Sequence, residues 1–224
     1  MQVESAKDSG WFGNHGPRSD TNLVLKVPAG VSLRIELVSA DGHVAGINGK
    51  SLKAECVSGN LTLESGASQV DVESVSGNID LNITRTDSSY RAHLQTVSGD
   101  IDVKGAGGRV KLDTVSGRAR AAGGEIQEFE AGTVSGNVEL AAALGKHGRV
   151  QVETMSGDIR TELPSTQSAR INAETFSGRI RSDFGTVKQP EYGPGSSLDA
   201  QVGDGDAQIV AKSFSGNVDI RKRP

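Results

Sequence analysis

Apolar and polar residues alternate along most of this sequence, and the alternation breaks at nearly regular intervals. Each break coincides with a short phrase that reads VSGN, or a close variant, in eight copies. Apolar residues lie seven and five positions before the glycine of the phrase and two and four positions after it. A period of two predicts β-strands with one buried face, so each copy has a strand on either side of the phrase. The glycines are Gly59, Gly77, Gly99, Gly117, Gly136, Gly157, Gly178 and Gly216.

The inward positions change parity across each phrase, being odd before the glycine and even after it. A continuous strand keeps its pleat, so the phrase is predicted to be a corner between two strands. Glycine suits a corner where the backbone needs a positive φ or where a neighbouring backbone passes closely. The Ser and the Asn or Asp of the phrase are expected to bond to local backbone at the turn.

Successive glycines are 18, 22, 18, 19, 21, 21 and 38 residues apart. This repetition predicts an all-β, single-domain β-solenoid (β-helix) of about nine to ten coils, with a period near 19–20 residues. The last spacing is twice 19, which indicates a hidden copy in LDAQVGDGDAQI (198–209) with Gly205 at its corner. Because Gly205 and Gly216 are only 11 residues apart, the last turn is expected to be irregular or hairpin-like.

The repeat domain is predicted over residues 21–220, after an N-terminal tail or cap at 1–20 and before a basic C-terminal tail at 221–224. At its start, TNLVLKVPAGVSLRIEL (21–37) predicts two alternating strands around a Pro-Ala-Gly turn. Residues 183–197 hold two of the six prolines and depart from the repeat, which predicts an irregular loop insertion.

Composition narrows the possible functions. Apolar residues make up 35% of the chain and aromatic residues 4%, which suits a thin core of small aliphatic side chains. The formal net charge is −4 with the signs interspersed, so no basic surface for nucleic acid is expected. No stretch approaches 18 apolar residues, and no membrane span or signal peptide is expected in this sequence. The single cysteine, Cys56, excludes a disulfide within the chain and a cysteine metal cluster.

Two aspartates offer a candidate for enzymatic chemistry. Asp80 and Asp102 occupy the same column one coil apart, so they would form a carboxylate pair of the kind that β-helical enzymes use on polysaccharides. A solvated outer face is the favoured interpretation, because charged side chains are mostly exposed. The four histidines, at positions 15, 43, 93 and 147, show no spacing to a nucleophile and base, and His93 is expected at the surface.

Three further patterns suggest binding of ions or water. The position four before the glycine is mostly acidic, and such a column either attracts divalent cations or pairs with Lys53, Lys111 and Arg160. GDGD at 203–206 resembles one fragment of a calcium-binding repeat, which needs serial copies. The recurring Thr-x-Ser suggests ice binding, but its threonine column also holds Leu37, so an inward column with hydroxyls bonded to backbone is favoured. The acidic column comprises Glu55, Glu73, Asp113, Glu153 and Glu174.

The VPAG turn, the alternating strands and the serial VSGN and VSGD phrases resemble a bacterial family of adhesin-type proteins of unknown function. The resemblance covers about 21–220. It implies a repetitive β-helix-like fold and an exported protein in the periplasm, at the outer membrane or on the cell surface. It implies no catalytic residues.

The expected function is therefore that of a non-enzymatic scaffold or adhesin-like binding module, without cofactor or metal. Its ligand would be a glycan or a protein, and 183–197 is the candidate binding segment because it departs from the repeat. A carbohydrate-active β-helix enzyme is the alternative. Assays of sugar release compared with glycan binding distinguish the two.

Overall fold

The computed structural model describes residues 23–85, 87, 89–189 and 194–223. These residues form sixteen β-strands in one sheet system and no helix. The predicted tail or cap at 1–20 lies outside the described residues. The strands are β1 (Leu33–Ser39), β2 (Gly42–Ile47), β3 (Ser51–Ser58), β4 (Leu61–Ser65), β5 (Gln69–Ser76), β6 (Ile79–Ile83), β7 (Arg91–Ser98), β8 (Ile101–Ser116), β9 (Ala119–Ser135), β10 (Val138–Ser156), β11 (Ile159–Pro164), β12 (Ala169–Thr175), β13 (Ile180–Ser182), β14 (Ser196–Val202), β15 (Ala207–Ser215) and β16 (Val218–Arg223).

The strands stack in parallel as two faces of a β-solenoid, as the sequence predicts. The first face holds the segments before each corner glycine: β1, β3, β5, β7 and the C-terminal parts of β8, β9 and β10. The second face holds the segments after the glycine: β2, β4, β6, the N-terminal parts of β8 to β10, and β11. Equivalent residues lie in register from coil to coil, so that Val72 pairs with Ala54 below and Leu94 above.

The core is a narrow layer of aliphatic side chains between the two faces. Inward positions such as Leu52, Leu94 and Ile101 are fully buried, whereas the intervening polar positions are exposed or half-buried. Tyr90 is the largest fully buried side chain; its hydroxyl donates to the carbonyl of Gly105, and burial raises the pKa of Tyr90 to about 12. The inside–outside assignment from the period-two pattern is confirmed for these strands.

About seven coils follow one another in chain order, slightly fewer than the nine to ten predicted. The difference arises at the C-terminus, where the chain does not continue upward. After β11 the chain skips one layer of the stack, so β12 and β13 lie two layers above β10 and β11. The later strands β15 and β16 occupy the layer between them. β15 pairs with β10 on one side and β12 on the other, and β16 lies between β11 and β13. The last coil in sequence is therefore next to last in space.

The predicted hidden copy at 198–209 is not a coil. β14 runs antiparallel to β12 and ends the first face, so the expectation of a hairpin-like end is closer to the structure. Gly205, predicted as a corner, lies instead in the tight turn from β14 to β15, with a φ of 72°. The alternation in 198–202 reflects pairing with β12, which an antiparallel strand achieves as well as a parallel one.

The first predicted strand is also wrong. Residues 23–27 form no strand, and Leu23, Val24, Leu25 and Val27 are exposed. No strand of the described part of the chain pairs with this segment, and alternation alone does not hold an extended chain without a ladder of hydrogen bonds. The turn after it is present, because the Val31 N–H donates to the carbonyl of Pro28 at 3.3 Å.

The VSGN phrase is a corner, for both of the reasons expected of its glycine. Gly77 has a φ of 141°, and a Cβ at this position would overlap the carbonyl oxygen of Gly59 in the coil below. Gly136 would clash in the same way with the carbonyl oxygen of Gly117. The corners therefore stack backbone on backbone, which leaves no room for a side chain.

The Asn or Asp after the glycine links neighbouring coils, rather than bonding within its own turn as the sequence predicts. The Oδ1 atom of Asn60 accepts from the backbone N–H of Asn78, and Asn78 accepts in turn from Asp100 at 2.9 Å. The ladder is interrupted at Arg118, whose guanidinium instead reaches back to Asp100 at 3.0 Å. The ladder ends at Arg179, which lies in the last coil in space. The backbone N–H of Arg179 donates to Oδ1 of Asn217 at 3.1 Å.

We expect Asn78→Ala to lower the free energy of unfolding by about 1 kcal/mol, because the N–H of Asp100 loses its acceptor. Arg179→Ala is the matched control and should be near neutral, since the Arg179 side chain caps no further coil. Urea unfolding of both variants measures the difference. Equal stability of the two would contradict a structural role for this ladder.

Candidate functional site

A long open groove follows the corner along the first face. Side chains four and two positions before each corner glycine both point outward, while the residue between them points inward. Because the chain bends at this point, the two outward rows form walls and the inward row forms the floor. The groove extends from Glu36 to Glu174 and has a volume of about 1220 Å³. We call it the corner groove.

One wall is a continuous row of exposed apolar side chains, which we call the apolar stripe. These side chains are about half exposed, from 47% at Val115 to 74% at Val38. Nine residues stacked at the strand spacing span roughly 38 Å. Single exposed apolar residues are ordinary, but a contiguous row of this length is unusual on a monomer and indicates an interaction surface. In spatial order the stripe is Val38, Val57, Val75, Val97, Val115, Val134, Met155, Phe214 and Phe176.

The side chains of the apolar stripe become larger toward the C-terminal end of the rod, where Val gives way to Met and Phe. Phe176 and Phe214 are stacked there, with ring centroids 5.0 Å apart and an interplanar angle of 10°. They are 38 residues apart in sequence and adjacent only because the last coil inserts below β12. A second, smaller depression next to Phe176 is bordered by Lys188 and Pro194. The described part of the predicted loop 183–197 therefore lies at the aromatic end of the corner groove.

The floor is the Thr-rich column, and it is buried. Thr96, Thr114, Thr133 and Thr154 are each at most 7% exposed. Thr175 donates to the carbonyl of Gly216 at 2.8 Å, which is the backbone bond expected from sequence, but the hydroxyls of those four threonines have no partner within hydrogen-bonding distance. A buried column cannot present the flat hydroxyl array that ice binding requires, so that alternative is not supported.

The other wall is the acidic row, four positions before the glycine. In spatial order it reads Glu36, Glu55, Glu73, Gln95, Asp113, Gly132, Glu153, Lys212 and Glu174. The groove lining thus holds six carboxylates and one ammonium group, a formal charge of −5. Stacked like charges repel one another, so a row of this kind favours a cationic counterpart.

Basic residues two positions earlier neutralise part of the acidic row. The ammonium of Lys53 lies 2.8 Å from Glu55, and this hydrogen bond holds the pKa of Glu55 below its ordinary value. Asp113 contacts His93 at 3.4 Å and Lys111 at 3.8 Å. The prediction that Lys53 and Lys111 pair with the column is confirmed, whereas Arg160 lies beyond the corner and contacts Glu162 instead.

Three carboxylates of the row remain outside ion pairs within the described residues. Glu73, Glu153 and Glu174 have exposed side chains and contact no Lys, Arg or His at salt-bridge distance. Glu153 accepts a hydrogen bond from Gln151 at 3.3 Å, and Lys212 lies in register between Glu153 and Glu174. These carboxylates are the ones available to an incoming cation.

The predicted aspartate pair lies elsewhere. Asp80 and Asp102 are in register on adjacent coils of the second face, away from the groove, as their spacing implies. Asp80 is exposed and Asp102 is half-buried, 4.0 Å from Arg120. They stand on an outward strand surface rather than in a cleft that would position a sugar between them.

The other candidate residues are dispersed. His43 and His147 are exposed, His93 is half-buried beside Asp113, and position 15 lies outside the described residues. In GDGD (203–206), the backbone N–H of Gly205 donates to the hydroxyl of Ser168 at 3.1 Å, so this segment is a turn. Across the described ranges, no three His, Cys, Asp or Glu side chains converge as metal ligands would.

The predicted loop 183–197 is described except for 190–193, and its last two residues, 196 and 197, belong to β14. Its two arms are joined by reciprocal backbone hydrogen bonds between Lys188 and Ser197, at 2.8 and 2.9 Å. Lys222 lies 5.1 Å from the ring centroid of Phe184, which fastens the start of the loop to β16. The loop is thus attached to the end of the rod beside the groove.

Sequence reasoning missed the apolar stripe, although its signal is present. The position two before every corner glycine is Val, Met or Phe, while the parity of the strand places it outside. An apolar residue retained at an outward position in every coil is the pattern of a binding surface.

The fold and this groove define a repetitive parallel β-solenoid protein with a lengthwise surface groove. The sequence model of the Toastrack DUF4097 family matches the chain twice, over residues 19–107 and 102–221, and the protein belongs to that family. No curated protein and no solved structure matches the chain. The predicted membership of a repetitive β-helix-like family of unknown function is confirmed. The residues that the structure describes contain no helix long and apolar enough to cross a membrane.

Proposed function

We propose that the protein is a non-enzymatic binding module and that the corner groove is its binding surface. The observation that supports this most is the apolar stripe, in which nine outward side chains stay apolar although the fold does not need them. Core packing is complete without them, because inward positions on both faces are already filled. Exposed apolar rows favour aggregation, so their retention argues for a partner that covers them.

The proposed location is the bacterial cell envelope, in the periplasm, at the outer membrane or on the cell surface. This rests on the resemblance of the serial VSGN phrases and the VPAG turn to exported adhesin-type proteins. A rigid rod that displays a groove along its length suits the capture of an elongated ligand. The loop at 183–197 would extend that surface at the aromatic end.

Nothing in the geometry favours the carbohydrate-active alternative. Asp80 and Asp102 lie on a strand surface without a cleft between them.

Site-specific photocrosslinking in the native host tests the proposal. A benzoyl-phenylalanine replacing Val115, in the middle of the apolar stripe, is expected to give one or a few discrete adducts after irradiation. The same group at Asp80, exposed on the second face, is the control and should give none. The adducts are read by gel shift and mass spectrometry.

Adducts from both positions in similar yield, or none from Val115 in correctly folded protein, would refute the corner groove as a binding surface. Both modified positions are exposed, so the fold should tolerate the new side chain. Circular dichroism of the purified variants checks that it does.

A further inference from the structure

We infer that the ligand of the corner groove is a basic amphipathic α-helix lying along the rod. This inference rests on the proposed function, because it names the occupant of the same surface. Its apolar face would cover the apolar stripe, and its Lys or Arg side chains would reach the acidic row.

Charge selects the class of ligand. The groove lining has a formal charge of −5, and Glu73, Glu153 and Glu174 lack ion-pair partners among the described residues. A basic chain gains from these carboxylates, whereas an anionic membrane surface or a nucleic acid would be repelled. A second copy of this protein would place its own acidic row in the same groove region, which disfavours self-association through this surface.

Spacing selects the conformation of the ligand. Neighbouring coils place stripe residues about 4.8 Å apart along the rod. A helix lying parallel to the rod presents one apolar group per turn of about 5.4 Å, whereas an extended chain presents one every 6.6–6.8 Å or so. The helix repeat is much closer to that of the stripe, so a helix keeps in step with the coils over several turns.

The carboxylates without ion-pair partners are also spaced for a helix. Glu73 and Glu153 are four coils apart, roughly 19 Å, which a helix covers in about 13 residues. Glu174 lies two coils beyond Glu153, roughly 10 Å further. The three carboxylates thus span roughly 29 Å, or about 19 residues of helix. Basic side chains on one flank of a helix of about 25 residues, as long as the whole stripe, would therefore meet all three.

Three synthetic peptides of that length test the inference on the full chain by fluorescence anisotropy at low salt. The first is made of leucine and lysine with the leucines at helical spacing. The second has the same composition with strict alternation, and the third replaces every lysine of the first by glutamate. We expect the first peptide to bind at least about tenfold more tightly than the other two, and to lose affinity as salt is raised.

Variants locate the binding. Val97→Ser with Val115→Ser should weaken the first peptide by about tenfold, since two stripe side chains lose their apolar contact. Glu73→Gln with Glu153→Gln should weaken it by roughly threefold to tenfold and flatten the salt dependence. Asp80→Asn, on the second face, is the matched control and should leave affinity unchanged.

Equal binding of the acidic peptide, equal or tighter binding of the alternating peptide, or no binding of the first peptide would overturn the inference. A stable dimer that Val97→Ser and Val115→Ser convert to monomer in sedimentation experiments would also overturn it, because the occupant would then be a second copy. If any of these results were obtained while Val115 still gave crosslinks in the host, the groove would remain a binding surface and only the helical ligand would be rejected.

Discussion

Replacement of Ile209 by Asp is expected to unfold the C-terminal end of the rod, including a coil that precedes Ile209 by nearly forty residues. Ile209 is fully buried and lies in register between Val150 below and Ile171 above. An unpaired carboxylate there should cost more than about 3 kcal/mol. Since β15 and β16 support β12 and β13, the segment 169–182 should lose its ordered neighbours as well.

Hydrogen–deuterium exchange resolved by segment measures this effect. Protection should fall in 169–182 and 207–223 and persist in 51–116, which stacks only on its own sequence neighbours. Gln208→Asp is the control, because Gln208 is the exposed neighbour of Ile209 and should tolerate a charge. Protection of 169–175 that survives Ile209→Asp would contradict the inserted position of the last coil.

Gly77→Ala is expected to destabilise the rod by more than about 2 kcal/mol, although it adds a single methyl group. The backbone at Gly77 has a φ of 141°, which L-residues rarely adopt, and the added Cβ would overlap the carbonyl oxygen of Gly59. The overlapping atom belongs to the backbone of the coil below, so relief requires the two coils to separate. Larger side chains at the same position should be worse.

The matched control is Gly124→Ala, the same chemical change at a glycine with open space around its Cβ position. This variant should be neutral or stabilising by up to about 1 kcal/mol, because alanine lowers the entropy of the unfolded chain. Thermal melts followed by circular dichroism compare the two. If Gly77→Ala melted at the temperature of Gly124→Ala, close stacking of the corners would be the wrong explanation for the repeated glycine.

The regular part of the fold was predictable because its determinants are local. Alternation around each phrase identifies the strands, and the change of parity identifies the corner, so Leu52, Ile101 and their equivalents were placed inside correctly. Alternation does not predict a strand correctly where the presence of a partner strand decides whether the segment forms one. Residues 23–27 alternate as well as β1 does, yet gain no partner strand among the described residues.

The order of the last coils was beyond the pattern for a different reason. Gly157, Gly178 and Gly216 stand at nearly identical corners, so each fits on either of the others with similar local contacts. The order in space follows from β14, which turns back antiparallel along β12 and leads the chain into β15 between β10 and β12. Arg179 follows its glycine where most other copies have Asn or Asp, and its coil is the last in space, but Arg118 does the same inside the stack, so this residue alone does not mark the last coil.

The candidate site was half predictable. The acidic row and its pairing with Lys53 and Lys111 follow from the column alignment. The apolar stripe required joining two facts, the parity of the strand and the constant apolar residue two before the glycine. The aromatic pair of Phe176 and Phe214 needed the spatial order of the coils and was out of reach.

The inserted last coil has a consequence for biosynthesis. A ribosome delivers the first seven coils in an order that lets each one settle on its predecessor as it emerges. The segment 169–182 arrives next, but the layer that must lie beneath it is still inside the exit tunnel. The tip of the molecule can close only after 207–223 has left the tunnel, so this end of the rod assembles later than the coils beneath it.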